Sequence, residues 1–80
     1  EIKMTKRRLI NKKAYDEMML LKEFLKSDIE NEYIISIQIN DEGNENFVIE
    51  HYFCDALKAT IVGENYTKIS KMIIVYLSKL

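Results

Sequence analysis

"YIISIQINDEGNENFVIEHYF" (residues 33–53) decides the fold. Two apolar alternations flank a polar stretch with one glycine. Tyr33, Ile35, Ile37 and Ile39 share one face of the first run. Phe47, Ile49 and Phe53 share one face of the second, with His51 among them. Strand side chains alternate between faces with a period of two, so each run reads as a strand with one buried side. Both apolar sets fall on odd numbers, so antiparallel partners must sum to an even number if the two faces are to be buried together. That requires a loop of three residues (41–43) or five. "NDEGN" fits, because Gly43 can take the left-handed conformation that closes such a turn. A two-residue turn would aim one strand's apolar face at water.

Downstream, "LKATIV" (57–62) admits two periods. Phe53, Leu57 and Ile61 would share a helix face, while Leu57, Ala59 and Ile61 alternate, and Thr-Ile-Val favours a strand. Asp55 and the short gap before Leu57 suit a tight turn, so a third antiparallel strand is expected. Gly63 then punctuates the way into a last helix. Its stripe is Ile69, Met72, Ile73, Tyr76, Leu77 and Leu80, with Lys68, Lys71 and Lys79 roughly opposite. Upstream, Ile10, Ala14, Met18, Leu21 and Leu25 recur at helical spacing, and Met19, Leu20 and Phe24 widen that face. Cations in a first turn oppose the helix dipole by about a few tenths of a kcal/mol each. The first helix is therefore expected from near residue 11, with Asn11 as its cap or Thr5 capping a longer version. "SDIENE" (27–32) reads as a connection. The expected fold is α+β: helix, three-stranded antiparallel sheet, helix, in two layers. The domain would span 11–80, behind a basic arm over 1–10.

Eighty residues make one small domain, of a size that buries only about 60 to 65% of its unfolded surface. No run reaches the roughly 20 apolar residues that span a bilayer, and the N-terminus is too polar for a signal peptide. A single cysteine, Cys54, leaves no internal disulfide and no thiolate cluster for zinc. A cytoplasmic or nuclear chain with no membrane contact and no cofactor is expected. Glu1 in place of an initiator Met fits a piece of something longer. The net charge of −1 hides an asymmetry. Residues 1–13 carry Lys3, Lys6, Arg7, Arg8, Lys12 and Lys13 against Glu1, a net +5. Residues 14–80 carry six lysines against twelve acids, a net −6. A basic arm on an acidic body points to nucleic acid or a partner; the plain alternative is a solvated helix start.

Catalytic signals are weak. His51 has no Asp, Cys or Ser at motif spacing and reads as a strand residue. Cys54 lacks a CxxC companion, and "DIENEY" and "NDEGNEN" do not fit the twelve-residue calcium loop. Without a glycine-rich phosphate loop, no enzyme is expected in these residues. Ile74 and Val75 fall outside the stripe of the last helix. Exposed there, they would form an apolar patch of the kind that marks a protein interface or a homodimer.

The hairpin with Phe47 and Ile49, a turn at Cys54-Asp55, and "ALKATIVG" (56–63) stand where one family has two strands and a third ending in a glycine pair. In "LLKEFL" (20–25), Leu21-Lys22-Glu23 matches a leucine, spacer and glutamate of that family's first helix. Over about residues 11–80 the chain resembles the double-stranded-RNA-binding domain, especially the one that ends ribonuclease III and Dicer-type enzymes. The resemblance implies three RNA contacts, since A-form RNA offers a shallow minor groove and the phosphates of a deep major groove. On the first helix the implied residues are Lys22, Glu23 and Lys26. In the hairpin loop, where the family has a histidine after Gly-Pro, this chain has Asn40, Gly43 and Asn44 beside Asp41, Glu42 and Glu45. Acids beside phosphates repel, so this contact is expected to be weakened.

The third contact is a lysine cluster, Ser-Lys-Lys-x-Ala-Lys, at the start of the last helix. Without a gap, Asn65 to Ser70 occupy it and every motif lysine is replaced. With one insertion, Lys68 and Lys71 fall on two of the three lysines, but the buried alanines leave the stripe of Ile69, Ile73 and Tyr76. Misplacing a core face costs on the order of several kcal/mol, so the ungapped alignment is preferred. Lys68 and Lys71 then assist an eroded phosphate site, together with Arg7, Arg8, Lys12 and Lys13. The expected partner is double-stranded RNA, held without sequence readout. The alternative is a degenerate domain binding protein, or itself, through the last helix.

Overall fold

The computed structural model of the chain describes residues 12–80. They form α1 (Lys12–Phe24), β1 (Asn31–Ile39), β2 (Glu45–Phe53), β3 (Ala56–Gly63) and α2 (Tyr66–Ser78). The arm over 1–10, with Arg7 and Arg8, and the proposed caps Thr5 and Asn11 lie outside the described residues. The sheet is antiparallel in the order β1-β2-β3.

The parity argument holds. Ile37 stands opposite Phe47, Ile35 opposite Ile49, and Tyr33 opposite His51. The ladder ends at Ile39 opposite Glu45, so the loop is 40–44, five residues and one of the two expected odd lengths, and the Asn40 N–H donates across it to the Asn44 carbonyl at 2.9 Å. Asn40 Oδ1 accepts from the N–H groups of Glu42 and Asn44, each at 2.9 Å, and Gly43 takes φ +88°. β1 begins two residues before Tyr33, so Asn31 and Glu32 belong to the strand and not to the connection. Their register partners Phe53 and Tyr52 are what extend it.

The β2–β3 turn is Cys54-Asp55, both left-handed at φ 51° and 68°, the form whose twist matches a two-residue hairpin. A side chain there costs roughly 1–2 kcal/mol per residue. The Cys54 N–H donates to the Glu30 carbonyl at 2.8 Å, which ties the turn to the approach to β1. Past it the register slips: His51 pairs with Ala59 but Tyr52 with Leu57, so Lys58 is bulged. One extra residue inverts the parity. Leu57, expected beside Ala59 and Ile61, therefore joins Tyr52 on the outer face and is 53% exposed.

Both helices cover the odd-numbered face. Ala14, Met18, Leu21 and Leu25 meet Ile35, Phe47, Ile49 and Ile61 from the sheet, and Ile69 and Ile73 from α2. The apolar stripes are narrower than expected. Met19, Leu20 and Phe24 are exposed, as are Met72 and Leu80, since a two-layer domain has nothing beyond its helices to cover them. Ile39 and Phe53 are also exposed; each ends its strand. Val48 lies on the uncovered sheet face yet is buried, shielded on the central strand by its partners Ser36 and Val62.

Candidate functional site

The start of α2 is built by Asn65. Its backbone is extended, and its side chain accepts the Lys68 N–H at 2.9 Å, occupying one of the amides that helix starts leave unpaired. Asn65 precedes the apolar stripe as a cap should, a signal present in the sequence. The helix dipole and the remaining first-turn amides favour an anion here. Lys68 Nζ pairs with Glu64 at 3.0 Å, but both side chains are mostly exposed, and such pairs contribute little.

An open groove of about 650 Å³ joins this start to the start of α1. Lys13 and Glu17 line it from α1, Glu45 and Phe47 from β2, and Glu64, Lys68 and Lys71 from the start of α2. A second hollow, about 470 Å³, runs along the hairpin loop past Glu42 and Asn44 and shares Glu45, Glu64 and Asn65 with the first. Lys13, Lys68, Lys71 and Asn44 thus come together along one continuous surface. The acids Glu17, Glu45 and Glu64 interleave with them; Glu17 and Glu64 had no signal in local sequence that would place them there. Asn44 is already engaged within its loop, its side chain 3.5 Å from Glu42 Oε1.

The other implied residues stand apart. Lys12 pairs with Asp16 at 3.0 Å on exposed surface. Lys22 and Glu23 are exposed at the far end of α1, with Lys22 about 14 Å along the axis from Lys13 at 1.5 Å per residue, while Lys26, expected on the same helix, lies exposed in the connection because α1 ends at Phe24. Arg7 and Arg8 lie outside the described residues.

Ile74 and Val75 are 59% and 51% exposed, off the buried stripe. Ile74 lines an apolar hollow of about 240 Å³ with Leu21 and Phe24 of α1 and Tyr66, Ser70 and Ile73 of α2. Phe24 and Leu20 are themselves more than half exposed, so Ile74 continues an apolar ridge across the two helices. Sequence periodicity missed this because it assigned both α1 residues to the core. Val75, about 100° further round α2, does not line that hollow.

His51 is 3% exposed, with both ring nitrogens in hydrogen bonds: Nδ1 to Tyr76 Oη at 2.6 Å and Nε2 to Asn31 Oδ1 at 2.8 Å. Burial, and then the charge of Lys58, push its pKa below the ordinary histidine value. Among the described residues, no group of three or more His, Cys, Asp or Glu is placed to hold a metal ion. No described helix is long and apolar enough to cross a membrane.

Compared with known proteins, the chain matches no family model, no curated protein and no solved structure.

Proposed function

We propose that this chain is a non-catalytic domain that binds double-stranded RNA by shape and phosphate contacts, as an accessory module of a ribonuclease III-like or Dicer-like protein. The reading is carried by one observation. Lys13, Lys68 and Lys71, from the starts of two helices, line one groove that continues to Asn44 in the hairpin loop. The hairpin loop and the start of the last helix are two of the contacts that the resemblance implies. In sequence the arm leads into Lys12 and Lys13, three uncharged residues after Arg8. Phosphate contacts of this kind position a duplex without reading its sequence. Glu17, Glu45 and Glu64 subtract from the local field, so the affinity is expected to be modest and to depend on the arm.

A titration with a duplex of about 16 base pairs tests this, that being the length such a domain spans. Affinity should fall steeply with salt, since each neutralised phosphate adds roughly 0.7 to 0.9 to the logarithmic salt slope of nucleic-acid binding. Replacing Arg7, Arg8, Lys12 and Lys13 by Ala should weaken binding and flatten that slope. Lys68→Ala with Lys71→Ala should do so again, equally for duplexes of unrelated sequence. Absence of binding at low salt by the unmodified domain would sink the proposal.

A second reading is favoured by the exposed ridge of Leu20, Phe24 and Ile74 with Val75 beside it: a protein interface, including self-association through the last helix. Burying Ile74 and Val75 would contribute roughly 3 kcal/mol by area, before association costs. Sedimentation at rising concentration should show a dimer that Ile74→Lys with Val75→Glu converts to monomer, with the circular-dichroism spectrum unchanged. A monomer at every concentration removes self-association.

A further inference from the structure

The sheet order β1-β2-β3 makes β1 an edge, so among the described residues one of its sides meets no strand. Which of its backbone groups face outward follows from its two ends. The Asn40 N–H points across the hairpin to the Asn44 carbonyl. Backbone groups alternate sides along a strand, so those of Ile39, Ile37, Ile35 and Tyr33 point away from β2. The N-terminal end agrees. The Tyr33 N–H donates to Ser27 Oγ at 3.0 Å, and the Asn31 carbonyl accepts from the Asp28 N–H at 2.7 Å. The connection thus covers the start of this edge. Over 35–39, nothing among the described residues pairs with the outward N–H and C=O groups.

An open edge is a template for another strand, and proteins blunt one with charge, proline or a bulge. β3, the other edge, carries a bulge at Lys58. β1 carries none of the three. Its stretch YIISIQI (33–39) has no charged residue and no proline, and its register with β2 runs without a shift.

We propose that this edge binds a second copy of the chain, whose β1 pairs antiparallel with it to form one continuous sheet. The edge is complementary to itself. A twofold axis at Ile37 sets Ile37 opposite its own copy and Ile35 opposite Ile39 of the other chain. Each facing pair exchanges two backbone hydrogen bonds. Ile37, half-buried, and Ile39, 45% exposed, gain apolar neighbours across the new ladder. Moving the axis to Ser36 runs the ladder into Tyr33, whose amide Ser27 already occupies. Moving it to Gln38 sets Ile35 opposite Asp41 of the loop. Charge favours the same strand. Residues 14–80 carry six lysines against twelve acids, and the uncharged run 33–39 lets two such bodies meet without setting acid against acid. The contact is short, so the dimer is weak and forms with rising concentration. It requires neither the groove lysines nor Ile74 and Val75, and stands apart from both readings of function.

Sedimentation of the whole chain at rising concentration, with amide exchange measured alongside, tests this. A monomer–dimer equilibrium is expected, in which the amides of Ile35, Ile37 and Ile39 gain protection as the dimer forms. Ser36 is half-buried and Gln38 exposed on the outer sheet face, and across the axis each faces the other from the second copy. Ser36→Lys with Gln38→Lys sets like charges opposite and should raise the dissociation constant roughly tenfold or more. Ser36→Lys with Gln38→Glu sets opposite charges there and should restore the dimer. Circular dichroism should show both variants folded; if the first is not, the three amides of the unmodified chain decide alone. Ile74→Lys with Val75→Glu, which breaks a dimer built on the last helix, should leave this one intact. A monomer at every concentration overturns the proposal. So does a dimer whose three amides stay unprotected, or one indifferent to the paired lysines, since its contact then lies elsewhere. Open-ended growth into larger species overturns the closed twofold pairing.

Discussion

Ile73→Ala should destabilise the domain by about 2–5 kcal/mol, while Ile74→Ala, one residue on, should change stability by less than about 0.5 kcal/mol. The two side chains are identical and share a helix, so propensity cancels and only surroundings differ. Ile73 is 1% exposed and packed in the cluster that joins both helices to the sheet, whereas Ile74 is 59% exposed. Truncating the first removes buried methyl groups and leaves a cavity that its strand neighbours, held by the ladder, fill only in part. In a domain of this size each kcal/mol moves the thermal midpoint by roughly 4–8 °C, so the Ile73 variant should melt at least about 8 °C lower. Thermal unfolding followed by circular dichroism measures both. Equal losses from the two variants would mean that α2 is rotated from the orientation described.

The second large effect is at Gly63→Ala, expected to cost about 1–3 kcal/mol. Alanine would otherwise be favoured in a strand over glycine by roughly 0.5–1 kcal/mol, and Gly63 does not adopt a positive φ. Space reverses that preference. A Cβ on Gly63 would stand 2.8 Å from Ile69 Cβ and 3.0 Å from Ile69 Cα. Those atoms belong to the frame of α2, so no rotamer change relieves the contact and the first turn of α2 must lift. Lys68 and Lys71 would move with it, so under the proposed function RNA affinity should drop along with stability. Shortening Ile69 to Ala should not rescue the variant, because Cα and Cβ remain. Thermal melts of Gly63→Ala, Ile69→Ala and the double variant decide this; full rescue in the double variant would contradict the geometry.

Local periodicity by itself determined much of this protein. The odd-numbered faces of 33–39 and 47–53 specified the hairpin register and an odd-length loop, because strand parity is a property of the chain and a one-residue slip would expose every buried side chain. The tight turn at Cys54-Asp55, the third strand and the buried pair Ile69 and Ile73 follow from the same local rules, as does the exposure of Ile74 and Val75. Only the tertiary structure decided the rest. The bulge at Lys58 sends Leu57 outward, and nothing in "LKATIV" marks it, because alternation is equally good with or without the extra residue. Met19, Leu20, Phe24 and Met72 sit at helical spacing yet face water, because a period gives direction around a helix and the neighbouring elements set how wide a sector is covered. The partners of His51, twenty residues away at Asn31 and twenty-five at Tyr76, meet only when β1 and α2 close on β2. The groove follows the same principle: its lysines were visible in sequence, but Glu17 and Glu64 reached them only when the starts of the two helices came together. Electrostatics depends on distance in space, and folding sets that distance.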